Sequence, residues 1–168
     1  MEDAADFLLH AGVIGIGATA FMDIWALAQK RLFGIPSLDY AMVGRWFGHM
    51  PRGRFAHNSI TSASEITGEG VIGWTAHYAI GIVFAAVLLF IWGLDWADDP
   101  TLVPPVFVGL ATVFVPFLVM QPAFGADIAA SRTPKPNTSR LRSVIAHFSF
   151  GFGLYFAAKS WLALNFII

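Results

Sequence analysis

Apolar residues along this chain do not alternate with polar ones at the period of a half-buried strand, and they do not confine themselves to one stripe of a helix. They fill whole segments. Four such runs, about 7–33, 71–94, 102–124 and 143–166, each meet the roughly 20 residues a helix needs to cross a hydrocarbon core. The pattern predicts an all-α polytopic membrane protein, a four-helix bundle of transmembrane helices forming a single domain over 1–168. Between the runs lie a long first loop from Gly34 to Gly70, a short acidic loop "DWADDP", and a third loop "GADIAASRTPKPNTSRLR" whose prolines argue against regular structure. No internal repeat aligns.

The first loop holds one further helical pattern. In "PSLDYAMVGRWFGHMPRGRF", Ser37 is placed as an N-cap, Asp39 falls in the first turn and Gly48 marks a stop. Ala41, Gly44 and Gly48 share one side, which permits close backbone approach, while Leu38, Met42, Trp46 and Phe47 supply bulk. The expectation is a short helix along the inner membrane interface. A re-entrant segment lining a cavity is the alternative, opposed by Asp39, Arg45 and His49, which make deep insertion costly.

Composition strengthens the membrane reading. The chain is 57% hydrophobic and 12% charged, about half the charge of an ordinary soluble domain. With no cysteine, disulfides, thiolate metal sites and a cysteine nucleophile are excluded. No basic block suggests nucleic acid, so the bilayer is the partner expected first. Nine of the ten Lys and Arg residues flank or fill the first and third loops: Lys30, Arg31, Arg45, Arg52, Arg54, Arg132, Lys135, Arg140 and Arg142. Glu2, Asp3, Asp6, Asp95, Asp98 and Asp99 fall on the other side. By the positive-inside rule, loops 34–70 and 125–142 are cytoplasmic and both termini face the periplasmic or outer side of an inner membrane. Trp92 and Trp96 suit the outer aromatic belt and Trp74 the inner one. Lys159, about 25 Å along its helix from Arg142, snorkels outward as an interface anchor. The acidic start "MEDAADF" does not read as a cleaved signal.

The candidate chemistry lies on stripes of small and polar residues. On the first helix Gly12, Gly15, Thr19, Asp23, Ala26 and Lys30 share a face; on the second Gly73, His77, Gly81 and Ala85; on the fourth Ser143, His147, Gly151 and Tyr155. Small residues mark helix contact in lipid, so Asp23, His77 and His147 are expected in the bundle interior. Measured from Arg31, Gly70 and Arg142 at 1.5 Å per residue, they lie about 12, 10 and 8 Å deep. Gln121 sits at similar depth, though Pro116 and Pro122 obscure its direction. Thr19, Ser143 and Tyr155 are expected as supporting groups. A carboxylate facing lipid unpaired would cost about 2.5–3.5 kcal/mol, so Asp23 calls for a partner, a proton or water. Two histidines and a carboxylate also match metal-ligand types, making Asp23, His77 and His147 candidate ligands without any local motif. His10, His49 and His57 read as interfacial groups meeting water or headgroups.

At these residues the chain resembles a family of small bacterial inner-membrane proteins carrying a domain-of-unknown-function label. The matching stretches are "GIGATAFMDIWAL", "GIPSLDYAMVGRWFGHMPRGRF", "GWTAHYAIGIVFA", "MQPAFGADIAASRTPKPN" and "RLRSVIAHFSFGFGLY". The resemblance implies a four-span membrane protein and transfers no activity, cofactor or catalytic residue. Three readings follow from the residues. The first is a non-enzymatic, homo-oligomeric protein whose Asp/His site handles a proton or small cation. The second is an accessory or structural subunit packed among other membrane subunits, its polar stripe serving as glue. The third is a metal-dependent membrane enzyme; no nucleophile or phosphate loop accompanies the His/His/Asp set.

Overall fold

The computed structural model describes residues 2–165, and side chains over 4–164. The expected end of the last helix at Phe166 and the side chains of Glu2 and Asp3 lie outside the described residues. Within them no strand occurs. The elements are α1 (Glu2–Phe33), α2 (Tyr40–His49), α3 (Glu69–Trp92), α4 (Asp95–Asp98), α5 (Val103–Ala111), α6 (Gln121–Ala123) and α7 (Pro136–Asn165).

Three stretches, Ala4–Phe33, Glu69–Trp92 and Val103–Ala123, are long and apolar enough to cross a membrane, by length and composition. Only 28%, 22% and 39% of their apolar windows is buried. A water-soluble bundle turns its apolar stripe inward. Here Phe90 is 84% exposed, Val103 78% and Val71 74%, an outward apolar surface that suits lipid. α7 has the length, 30 residues, but the described residues, among them His147 and Lys159, dilute its hydropathy.

The residues group into two compact units: Met1–Pro36, Tyr78–Thr112 and Ala146–Ile168 form one, Ser37–His77 and Val113–Ile145 the other. In the first, α1 runs antiparallel to α3, and α5 and α1 run antiparallel to α7. Ile14, Leu88, Leu89 and Leu154 are fully buried among Ala11, Ala18, Ala85 and Ala158, and Trp96 of α4 joins that core. Glycines set the helix spacing. A Cβ on Gly109 would lie 2.6 Å from the His147 carbonyl oxygen, and one on Gly153 would lie 2.7 Å from that of Ala18. Backbones therefore touch where a soluble bundle would interpose side chains.

In the second unit, α2 is capped by Asp39, whose carboxylate accepts from the Ala41 amide at 3.0 Å. This corrects the expectation that Ser37 caps the helix with Asp39 inside its first turn: the extended backbone at Asp39 (φ −85°, ψ 103°) aims its short carboxylate at the unpaired amides. The predicted close approach is present, because Cβ atoms on Gly44 and Gly73 would collide with the carbonyls of Glu69 and Tyr40. α2 passes the Gly48 stop by one residue and ends in a tight turn at Gly53 (φ 74°). The chain then lies along the end of α6. The His57 amide donates to the Ala123 carbonyl at 2.8 Å and the Ile60 amide to that of Phe124 at 3.1 Å.

Prolines shape the third span, Val103–Ala123: after α5 the backbone opens into a π turn over Pro116–Met120, where the Gln121 amide reaches back five residues to the Pro116 carbonyl. Pro116 and Pro122 have no amide to offer, and the wider turn accommodates that loss. The third loop is more ordered than its prolines suggested, with a short turn at Ile128–Ala130 and α7 already started at Pro136. Proline at the first helical position forfeits no bond. Asp127, Ala129 and Ala130 adopt left-handed backbone (φ 62°, 48° and 57°), a conformation costing about 1–3 kcal/mol per residue unless its surroundings impose it. Arg140 Nε donates to the Ala129 carbonyl at 2.8 Å, and the Arg132 amide to that of Ala126 at 2.9 Å.

Candidate functional site

In the first unit the carboxylate of Asp23 meets a partner that spacing had not indicated. The Tyr78 hydroxyl donates to Asp23 Oδ2 at 3.1 Å, with both side chains partly buried. The contact follows from register. α1 and α3 close on each other at Gly15, where a Cβ would lie 2.5 Å from Ile82 Cα, and at Gly81, where one would meet Thr19 Oγ1; one turn beyond Thr19, Asp23 comes within reach of the Tyr78 ring. Gly81 lies four residues after His77 and three after Tyr78, so the small-residue seam admits either ring. Thr19 is buried as expected, but it donates to the Gly15 carbonyl of its own helix at 2.7 Å.

His147 is held on α7 by α5. Thr112 Oγ1 donates its single proton to the Gly109 carbonyl at 2.7 Å and lies 2.9 Å from His147 Nδ1. Tyr155 packs edge-on against Phe156, with ring centroids 5.5 Å apart. Lys159 Nζ lies 3.7 Å from Asp99 Oδ1.

His77 and Gln121 belong to the second unit. The His77 ring stacks on Tyr40 at 4.0 Å and meets Trp74 edge-on at 5.8 Å. Gln121 is turned toward a group expected to support it: Nε2 donates to Ser143 Oγ at 3.3 Å. Among the described residues no three His, Asp or Glu side chains come together as a metal site would require.

The second unit also holds a charged core that reading the loops for net charge did not reveal. Arg45, 5% exposed, donates from Nε to Glu69 Oε2 at 2.9 Å and from Nη2 to Oε1 at 2.7 Å. Its Nη1 reaches the carbonyls of Ala63 at 3.2 Å and of Ile60 and Thr61 at 3.5 Å. Bonding to Glu69 holds the guanidinium above its ordinary pKa in spite of burial. His49 and His57, expected at the interface, are instead drawn into this core. His49 is 2% exposed and pairs with the Ser64 carbonyl at 2.9 Å, and the two rings lie 5.0 Å apart. Burial, then the neighbouring His49 charge, keep His57 below the usual histidine pKa. The pattern G-x-x-x-G over Gly44–Gly48, with Arg45 inside it, is the one sequence signal that placed this arginine on a packed face.

These features define an α-helical protein whose apolar helices are compatible with integration in a membrane and are joined by interhelical polar pairs. The chain belongs to the family described as "Protein of unknown function (DUF2938)", whose model matches residues 12–161. No curated protein and no solved structure matches it.

Proposed function

We propose that the chain is an integral protein of the bacterial inner membrane with four spans and both termini on the outer side. In this reading α2 lies along the inner interface, and Asp23 is the centre of a non-enzymatic site that takes up a proton or small cation. The single observation carrying it is the Tyr78–Asp23 bond, which holds an ionisable carboxylate among side chains otherwise suited to lipid. Ionisable groups kept inside membranes are costly and mark ion or proton pathways. The fourth span is α7. It runs beside α1 from the Gly17–Ala157 contact to the His10–Trp161 ring contact, and therefore shares the depth of α1. His147 is the further ionisable group of the first unit and His77 that of the second. Four helices enclose little volume, so a conduit forms between copies of the chain. In proteoliposomes the parent should pass protons or a monovalent cation, and Asp23→Asn should not. Equal fluxes, or none from either, would end this reading.

A second reading has its own support. Tyr78–Asp23, Thr112–His147 and Ser143–Gln121 each join a donor to an acceptor across two helical segments, as polar glue in an accessory subunit would. Purification in mild detergent separates the two readings, since a stable homo-oligomer free of other chains counts against an accessory role.

A further inference from the structure

The second unit contains an open cleft of about 340 Å³ beside the Gly53 turn, bordered by Arg54, His57, Asn58, Ser59, Ser62 and Ser64. No carboxylate lines it. A cation, an amide and three hydroxyls around one hollow form a donor-rich set, the chemistry that recognises a phosphate oxygen. We propose that this cleft is a binding site for a terminal phosphate group, met as free inorganic phosphate or as the monoester headgroup of an anionic lipid.

Two further observations support it independently of the Asp23 reading. Arg54 is exposed, and among the described residues it makes no ion pair, leaving its guanidinium available. The wall is also rigidly set. Gly125, at φ 86°, admits the Asn58 carbonyl where a side chain would collide, and the His57 and Ile60 amides are fixed to the carbonyls of Ala123 and Phe124.

The test is calorimetric titration of the detergent-purified full chain with inorganic phosphate, short-chain phosphatidic acid and short-chain phosphatidylcholine. Saturable binding of phosphate identifies the free anion as a ligand. Binding of phosphatidic acid alone identifies the lipid headgroup. In either case Arg54→Gln should weaken binding about tenfold, the loss expected for one charge-assisted bond. Arg52→Gln, at a neighbouring exposed cation outside the cleft, should stay within about twofold. Because Arg54 is exposed, its replacement leaves the fold intact. Failure of both phosphate and phosphatidic acid to bind, equal affinity for phosphatidylcholine, or equal losses from the Arg52 and Arg54 variants would overturn the assignment.

Discussion

Removing the Arg45 guanidinium should be among the most damaging single changes in the molecule. Arg45→Ala deletes two charge-assisted bonds to Glu69 and the donor shared by the Ile60, Thr61 and Ala63 carbonyls. Glu69, whose side chain is 17% exposed, then keeps the Ile66 amide at 3.0 Å but loses its cationic partner. Breaking one side of a buried ion pair typically costs about 3–5 kcal/mol, because the remaining charge stays desolvated. At about 2–4 °C per kcal/mol for a chain of this length, the melting temperature in detergent should drop by about 6–20 °C. Lysine keeps the charge but cannot form the fork, so Arg45→Lys should fall between parent and Ala. Replacing both partners, as in Arg45→Met with Glu69→Leu, should restore part of the loss. Tryptophan fluorescence melting reports all of these variants. An Arg45→Ala melt within 2 °C of the parent, or strictly additive losses at Arg45 and Glu69, would refute the reasoning.

Other expected outcomes follow from single contacts. Gly109→Ala must push α5 and α7 apart, because its Cβ would lie 2.6 Å from the His147 carbonyl, and should cost about 1–3 kcal/mol; Gly12→Ala, which meets nothing within 4 Å, should be neutral or stabilising by up to about 1 kcal/mol. Melts showing the reverse order would contradict the packing. Asp23→Ala and Tyr78→Phe should show a coupling energy of about 0.6 kcal/mol, the average for polar pairs across membrane helices, with zero coupling counting against the bond. For His57, depression of the folded pKa below about 6.5 means the unfolded chain binds the proton first as pH falls. Stability should therefore be full above pH 6.5 and decline as pH drops toward the folded value; His57→Gln should flatten that slope, and an unchanged slope would exclude His57 as its source.

The helices were legible because lipid-suited segments are long, continuous and almost uncharged, a signal that survives the loss of amphipathic periodicity. The stripes of Gly15, Gly81 and Gly151 also identified faces where backbones touch. Capping at Asp39 was harder to read, since Ser37 and Asp39 both suit an N-cap and only backbone direction separates them. Pro136 illustrates a similar ambiguity: proline ends helices and also begins them. Among the site residues, the bond from Gln121 to Ser143 was not legible because Pro116 and Pro122 hide the direction of Gln121, while Tyr78 was obscured by His77, which shares the same glycine. Arg45 was least legible. Its partner lies 24 residues away, and a count of loop charges treats a buried fork and a solvated cation alike.

Single-cysteine accessibility tests the membrane architecture most directly, because the chain has no native cysteine to contribute background. Cysteines placed at Asp98, Ser62 and Lys135, all exposed, can be probed in intact cells and in inside-out vesicles with a membrane-impermeant maleimide. The account expects Asp98→Cys to label in intact cells, and Ser62→Cys and Lys135→Cys to label only in inverted vesicles. Labelling of Ser62→Cys and Lys135→Cys from opposite sides would contradict four crossings, and with them the membrane depth assigned to Asp23.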